Sequence, residues 1–300
     1  MSPPLVSIVT PSRNMASYIA EAVRSVLEQD YPRIDYIVVD GGSTDGTLDL
    51  LAGFGDRLRL IAQEDSGPAE AINRGFAAAH GEIFAWLAAD DYYFPGAVSA
   101  AVAVLTAHPE IAGVYGDGVW VDAAGDRLAD YPVRDFDPRR LAEECFICQP
   151  AAFLRRRAFD SVGGLDARWR HTFDYDLWIR ISRRWTLLRV PAPLAASRMH
   201  AATITLGARR RVLGENIRLL VHHFGYAPLR AVFAYAAHLA DRRDQFFEPL
   251  RPSAFKFALS LPLGLYFNRR RPGRFIAEWL AAARRAAAEI RPSAYRAPAR

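Results

Sequence analysis

The 300-residue sequence predicts an α/β fold: a mixed, mainly parallel sheet flanked by helices, with a C-terminal helical extension. Three observations lead there. The first ninety residues alternate short β-rich runs with helical patterns, and strand–helix–strand–helix order implies parallel pairing through right-handed crossovers. The second run, Asp35 to Asp40, is apolar through its middle, as strands covered on both faces are. From Ala208 onward the chain is rich in Ala, Arg and Leu and reads as helices alone.

The elements follow in order. Val6-Ser7-Ile8-Val9-Thr10 is a strand ended by Pro11. Ser17 is placed to cap a helix whose apolar face is Ile19, Ala22, Val23, Val26 and Leu27. After the Asp35–Asp40 strand, Gly41-Gly42-Ser43-Thr44-Asp45-Gly46 is a turn, with Thr44 or Asp45 where the next helix needs a cap. Leu58 to Ala62 is the third strand. Pro68 to Ala79 is a helix with Pro near its start and Gly81 just beyond its end. Glu82 to Leu87 is the fourth strand, running into Ala88-Ala89-Asp90-Asp91. Beyond Pro95 the alternation loosens. Gly96 to Ala107 reads as helix, Gly113 to Asp122 as strand, Ala123 to Asp126 as turn and Gln149 to Leu154 as strand. Tyr175 to Arg184 is a helix with Leu177, Trp178 and Ile181 on one face; Trp178 is read as packing that helix onto the core rather than stacking a sugar. Gly225, Pro228, Pro249 and Gly264 separate the tail helices, and the polar stretch after Pro292 reads as frayed.

Composition narrows the class. Hydrophobic residues make up 51% and charged residues 24%, ordinary for a globular chain, which argues against disorder over most of the length. The net charge is +5, and the basic residues are almost all arginine, many of them after Thr186. Such a surface suits nucleic acid, anionic lipid or a phosphorylated substrate, or is a solvated basic face. The N-terminal residues lack the positive stretch and apolar core of a secretory signal. No stretch reaches the ~18 apolar residues of a membrane span; the longest, Phe255 to Phe267, is interrupted by Lys256 and Pro262. Cys145 and Cys148 form a lone Cys-x-x-Cys with no second pair to complete a zinc site; they read as reduced packing residues, with a redox pair as the alternative. A cytoplasmic protein is expected.

Ligands of open parallel sheets bind at the carboxyl ends of the strands. Here those ends deliver Thr10, Pro11, Ser12, Arg13 and Asn14 from the first strand and Asp40 from the second. The third brings Glu64 and Asp65, the fourth Asp90 and Asp91. Crowded carboxylates raise one another's energy unless a cation neutralises them, and hard oxygen ligands favour Mg²⁺ or Mn²⁺ completed by substrate phosphates. Arg13 offers a positive group to a pyrophosphate, and Asp40 an acceptor to a ribose hydroxyl or a base N–H. Solvated loop carboxylates are the competing interpretation. The glycines at 41, 42 and 46 do not form G-x-G-x-x-G, so a dinucleotide site is not expected.

Four ordered phrases go further: Val6 to Asn14; Val38-Val39-Asp40-Gly41-Gly42-Ser43-Thr44-Asp45-Gly46-Thr47; Glu64-Asp65-Ser66-Gly67 with Ala71-Ile72-Asn73-Arg74-Gly75; and Trp86-Leu87-Ala88-Ala89-Asp90-Asp91. Together they resemble the nucleotide-binding half of a family 2 glycosyltransferase with the GT-A (Rossmann-like) fold. The resemblance continues through Gln149-Pro150, Gly163-Gly164-Leu165-Asp166, Phe173 to Arg180 and Arg198-Met199-His200, and fades after about Leu206. It implies a GT-A-like domain over 1–206, with a nucleotide-binding half at 1–95 and an acceptor half at 96–206, and a helical extension over 207–300.

The resemblance also implies roles. Asp40, Asp65, Asn73 and Asp90 would line the nucleotide-sugar site, beside the Thr10, Pro11 and Arg13 that the first strand end delivers, and Asp91 would ligate the metal; His200 completes that shell, meets a phosphate, or is an ordinary buried or surface histidine. Asp174 matches the catalytic base, with Asp176 a competing base. Gln149 and His171 are candidate acceptor contacts. Two positions depart from the family pattern: Ala89 stands where the acid-x-acid metal motif begins, and Phe173 where many relatives carry Glu.

The implied enzyme is a metal-dependent inverting hexosyltransferase using Mg²⁺ or Mn²⁺. It would move a sugar from a nucleotide donor, UDP-linked by expectation, to a glycan or lipid-linked acceptor. The Ala/Arg-rich composition suggests a GC-rich bacterial genome and hence cell-surface polysaccharide synthesis. The apolar stretch 255–267 with Arg269, Arg270, Arg271 and Arg274 is compatible with peripheral contact on the inner face of a membrane, or with a helical cap. Two rivals are a nucleotidyltransferase, which should carry a Gly-rich, Lys-containing phosphate loop where this chain has Pro-Ser-Arg-Asn, and a catalytically silent scaffold of the same fold. Nucleic acid is not expected as a partner, because no recognised module interleaves aromatics with the arginines.

Overall fold

A computed structural model of the chain describes residues 2–241, 247 and 253–290. It divides into two compact units, Met1–Ala208 and Arg209–Arg300. In the first, β1 (Val6–Ser12), β2 (Ile34–Asp40), β3 (Arg59–Ala62) and β4 (Ile83–Trp86) pair in parallel, ordered β3-β2-β1-β4. The helices between them are α1 (Ile19–Leu27), α2 (Thr47–Ala52) and α3 (Pro68–Ala77). The sheet then changes character. β8 (Ala152–Arg155) joins β4 antiparallel and β6 (Gly113–Val121) antiparallel, while β9 (Leu187–Arg198) runs parallel to β6. β5 (Tyr92–Tyr93) closes the edge against β9, and β7 (Arg127–Asp130) hangs on β6. α4 (Ala97–Ala107), α5 (Arg156–Ser161), α6 (Phe173–Ser182) and α7 (Ile204–Gly207) complete the unit.

The predicted mixed, mainly parallel α/β fold is therefore present, and its core explains the order of elements. β1 and β2 are buried almost throughout, as strands covered on both faces are, and β1 buries Ser7, Thr10 and Ser12 along with its apolar residues. Trp86 at the end of β4 stacks on Trp178 of α6, with ring centroids 5.7 Å apart, and both are buried. Trp178 thus packs the core. Phe76 of α3 stacks on Phe84 of β4 at 4.3 Å, with Phe159 of α5 edge-on to both.

Several local expectations are corrected. Ser17 does not cap α1; Tyr18 is the capping residue and makes no side-chain cap bond. Asp45 takes the backbone N–H and hydroxyl of Thr47 at the start of α2, though Gly46 holds the cap position, with φ +91°. The segment from Gln149 begins as a 3₁₀ turn, Gln149–Ala151, because Pro150 offers no N–H to a ladder; the strand starts at Ala152. Both cysteines are free thiols, pushed up by burial, which is the packing role.

The second unit contains α8 (Arg209–Phe224), α9 (Leu229–Asp241), α10 (Ala254–Phe267) and α11 (Pro272–Ile290). α8 and α9 flank the predicted break at Gly225 and Pro228. Gly264 does not break α10, since a Cβ there would collide with the Phe275 ring of α11, so the glycine permits close helix packing. Pro249 and the stretch after Pro292 lie outside the described residues.

Gly75 marks where α3 meets the sheet. A Cβ there would lie 2.5 Å from one Val9 methyl carbon and 3.2 Å from one of Val39. Gly75→Ala should lower the free energy of unfolding by roughly 1–2 kcal/mol, because overpacking outweighs the gain in helix propensity. Urea denaturation checks this; an unchanged or raised midpoint would show that α3 lifts off the sheet at no cost.

Candidate active site

The carboxyl ends of the parallel strands form a rim, as the sequence predicts, but each rim residue is held differently. Thr10 points into the sheet, its hydroxyl 3.0 Å from that of Tyr36. Pro11 is half-buried within β1, and Arg13 is exposed in the loop after it. Asp40 is fully buried. Its Oδ1 accepts the N–H groups of Gly42 and Ser43 and its Oδ2 the Ser43 hydroxyl, so the carboxylate organises the turn after β2. Asp65 accepts the Gly67 N–H at the start of α3 and lies against Gly41, where a Cβ would sit 2.5 Å from its Oδ2. Burial holds the Asp65 carboxyl above the usual range, with the charges of Arg74 and Arg13 pulling the other way. Arg13, Asp65 and the Asp40 turn therefore share one corner of the rim. Beside them the buried Ser12 hydroxyl makes no hydrogen bond.

Asn73 has a structural task. Its side chain donates to the Leu165 carbonyl at 2.8 Å and accepts the Leu165 N–H at 3.0 Å, tying α3 to the loop before α6. Gln149 similarly donates to the Trp86 carbonyl at 2.8 Å, closing the end of β4.

Asp90 and Asp91 follow β4. The Asp90 Oδ2 lies 3.2 Å from Nε2 of His200, whose ring stacks on Tyr18 at 4.7 Å. Asp91 is buried, and its Oδ1 accepts the backbone N–H of Arg198 at 2.8 Å. Burial holds both carboxyls above the usual carboxylate range. Asp91 is raised well above it, first by burial and then by the neighbouring Asp90. His200, Asp90 and Asp91 are thus brought together, as expected. Among the described residues no group of three or more such side chains converges as a ready-made metal cage. The donor chemistry nonetheless suits a hard divalent cation: two desolvated, mutually repelling carboxylates and an imidazole, with coordination left for phosphate oxygens.

Arg198 is the member that sequence reasoning missed as a site residue. It is 3% exposed, and every face of its guanidinium is used. Nε donates to the Asp90 carbonyl at 2.9 Å, and Nη1 to the carbonyls of Asp122 and Ala123. Nη2 pairs with Glu21 of α1. The rings of Tyr18 and Tyr92 lie 5.1 and 5.5 Å from the guanidinium carbon. Its only sequence signal was the Arg198-Met199-His200 phrase, since nothing local announces β9.

The two candidate bases part company. Asp176 is buried, and its Oδ2 is held by Arg180 at 2.6–2.7 Å, a structural ion pair. Asp174, in the first turn of α6, is half-buried, and its charge adds to the upward push that burial gives the Cys145 thiol and the Tyr131 hydroxyl. A cavity of about 460 Å³ lies between the start of α3 (Ser66, Gly67, Glu70), Arg170 and His171 before α6, and the stretch from Ala201 to Ala208 that holds α7; Asp174 is not in its lining. It takes in His171 but not Asp90 or Asp91.

A parallel half-sheet with carboxylates on its rim, continued by a mixed half, is the GT-A-like arrangement. The chain belongs to glycosyl transferase family 2, whose family model matches residues 7–163. An uncharacterized glycosyltransferase of Rickettsia prowazekii is 30% identical over 211 residues, covering 67% of this chain and 66% of the relative. A Rickettsia conorii relative is 32% identical over 212 residues, but the match spans only 34% of its length. The chain therefore spans between about a third and two thirds of these relatives. A Mycobacterium tuberculosis PGL/p-HBAD biosynthesis glycosyltransferase is 34% identical over 185 residues, 60% of this chain and 70% of that one. Among solved structures, Staphylococcus aureus TarS (residues 1–349, with UDP-GlcNAc) superposes with a TM-score of 0.62 at 16% identity, covering 91% of this chain and 83% of that one. The mannosyltransferase PcManGT of Pyrobaculum calidifontis, with GDP-Man and Mn²⁺, gives 0.57 at 23% identity, covering 94% and 86%. At these identities the likeness is one of fold.

The raised Asp91 has a consequence for stability. A carboxyl whose folded value lies above its unfolded one stabilises the fold fully below about pH 4, and that contribution is lost as pH rises through the folded value. Asp91→Asn keeps an acceptor for the Arg198 N–H but carries no charge. In chelator, its melting temperature should exceed that of the native protein by roughly 2–4 °C at pH 8, and the gap should close towards pH 4. A gap independent of pH would mean that Asp91 is not the strained group.

Proposed function

We propose that this chain transfers a sugar from a nucleotide-sugar donor to an acceptor hydroxyl, with the Asp90–Asp91–His200 group facing the donor diphosphate. The observation that carries this is the adjacent pair of desolvated carboxylates at the end of β4, both raised by burial and Asp91 further by Asp90, with His200 3.2 Å from Asp90. Such a pair has a use where a cation and a diphosphate meet. Family membership, and fold neighbours bound to UDP-GlcNAc and GDP-Man, support the donor class.

A Mg²⁺ or Mn²⁺ ion held by Asp91, with His200 beside it, would offset the negative charge growing on the leaving diphosphate. The chain's own residues do the rest. Arg198 keeps Asp90 and Asp91 at their posts. Arg13, Asp65 and the turn organised by Asp40 form the nucleoside end, with the unpartnered Ser12 hydroxyl available beside them. Asp174, the half-buried carboxylate of α6, takes the proton of the acceptor hydroxyl. As it does so, the acceptor oxygen bonds to the anomeric carbon, and the bond from that carbon to the diphosphate breaks on the opposite face. A nucleoside diphosphate leaves, and the anomeric centre inverts. His171 and Gln149 stand on the acceptor side. A UDP-linked donor and a glycan or lipid-linked acceptor in cell-surface polysaccharide synthesis remain the proposed setting; the mycobacterial PGL/p-HBAD relative is in keeping with it.

Calorimetry with UDP, GDP and dTDP, with and without Mn²⁺, tests the donor site. One nucleotide should bind in a Mn²⁺-dependent way, and Asp91→Asn should weaken that binding by tenfold or more, about 1.4 kcal/mol. Equal binding by the variant would remove Asp91 from the site, and no binding by either protein would favour a silent scaffold. The base is tested separately. Asp174→Asn should cut kcat by about 10²–10⁴-fold while nucleotide affinity is unchanged. Retained turnover would pass the role to another group.

A further inference from the structure

We propose that the outward face of α10, together with Arg269 and Arg270 just beyond it, is a docking surface for an anionic phospholipid bilayer. α10 is apolar along its whole length except for Lys256 and Ser260, and both point inward. Lys256 is buried and paired with Asp241 of α9 at 2.6 Å. Ser260 is buried and accepts from Trp279 of α11 at 3.2 Å. Asn268, which caps the helix, is buried in a two-way amide pairing with Ala227. The charged and small polar side chains of the helix are thus spent inside the unit, and the outer face carries no polar group but the Tyr266 hydroxyl. That face shows Phe255, Ala258, Pro262 and Tyr266, spaced three and four apart on one stripe. Phe255 and Tyr266 are 67% and 68% exposed.

A helix that is apolar on all sides belongs in a core or in an apolar phase. No described helix is long and apolar enough to cross a membrane, and the 14 residues of α10 reach about 21 Å, short of the ~30 Å hydrocarbon core. The helix would therefore lie in the interface, where aromatic residues such as Tyr266 are favoured.

Charge selects the occupant. Arg269, Arg270, Arg271 and Arg274 are all exposed, and no carboxylate occurs between Ser253 and Ala277. Arg274 lies over the Tyr226 ring at 3.9 Å, which fixes the orientation of the basic turn. A second copy of this chain would set one arginine cluster and one uncharged stripe against another, with no carboxylate on the stripe to answer the arginines. An anionic bilayer presents acyl chains to the stripe and phosphates to the arginines.

The test is sedimentation of the full chain with vesicles of phosphatidylcholine alone or mixed with phosphatidylglycerol. The native protein should bind only the mixed vesicles, and less at high salt. Arg269→Glu/Arg270→Glu should weaken binding by about tenfold or more. Phe255→Ser/Tyr266→Ser should do likewise, with the melting temperature unchanged because both side chains are exposed. Absence of binding, equal binding to both vesicle types, or unaltered binding by the variants would overturn the proposal. So would size-exclusion chromatography showing that the variants break up an oligomer while vesicles are ignored. Nucleotide calorimetry on the same variants should be unchanged, so failure here is separable from failure of the donor site.

Discussion

The buried Arg198 guanidinium is the interaction around which the rim is organised. A desolvated guanidinium is tolerated only where its nitrogens find acceptors, and here three carbonyls and a carboxylate meet all three nitrogens while two tyrosine rings cover its faces. The partners come from four places: α1, the Asp90 loop, the turn between β6 and β7, and β5. The backbone N–H of the same residue holds Asp91. One side chain at the end of β9 thus fastens the carboxylate loop to the rest of the first unit. Two acidic residues on a connecting loop thereby gain the rigidity of a strand end. Replacing a residue of this kind with one that answers only some partners strands the remainder in a low-dielectric interior.

That latch works against an electrostatic load. Asp91 is desolvated beside another carboxylate, an arrangement that raises the energy of the folded state at neutral pH. The aromatic packing directly beneath, Trp86 on Trp178 and Phe76 on Phe84, is where the fold recovers stability. The division is physically sensible. The apolar half of β4 ends in a tryptophan locked into the core, and the next few residues carry the strain. Stability given up at a rim of this sort is the usual sign of a site shaped for a ligand rather than for the fold.

The sequence made the parallel half legible because short β-rich runs, the second apolar through its middle, alternate with helices that keep a 3.6-residue period. The mixed half was less so, for identifiable reasons. β9 contains Pro191 and Pro193 and alternates irregularly, and its register against β6 shifts twice. No local pattern separates such a strand from a loop. β5 is two residues long and exists only because β9 passes beside it. Gly264 reads as a helix breaker by propensity, yet the Phe275 ring demands a residue without a side chain there. In the site, residue types at strand ends set Asp90 and Asp91 on the rim, and the Arg198-Met199-His200 phrase added His200, which the structure brings to Asp90. They gave no hint that the Asp40 carboxylate is occupied by its own turn, or that Asn73 staples α3 to the loop before α6, because both facts depend on which backbone groups lie nearby.

Asp174 and Asp176 show what geometry adds to a motif. Two residues apart on a helix, their side chains diverge by about 200°, so one turned into the core leaves the other facing away. Asp176 has Arg180 four residues on, a pairing the helix itself supplies, and the pair is sealed at 1% exposure for the carboxylate. A carboxylate already paired with a guanidinium and shut off from solvent has no path to an acceptor. Asp174 lies on the opposite side of the helix, half-open, close to Cys145 and Tyr131, and the helix that carries it is anchored by Trp178 against Trp86. The residue pair that anchors α6 therefore also links its first turn to β4, the strand that delivers Asp90 and Asp91. Asp174 on α6 and the carboxylates after β4 are thereby held to one piece of core, which is what the proposed displacement would require if its attacking and leaving groups are to stay in line.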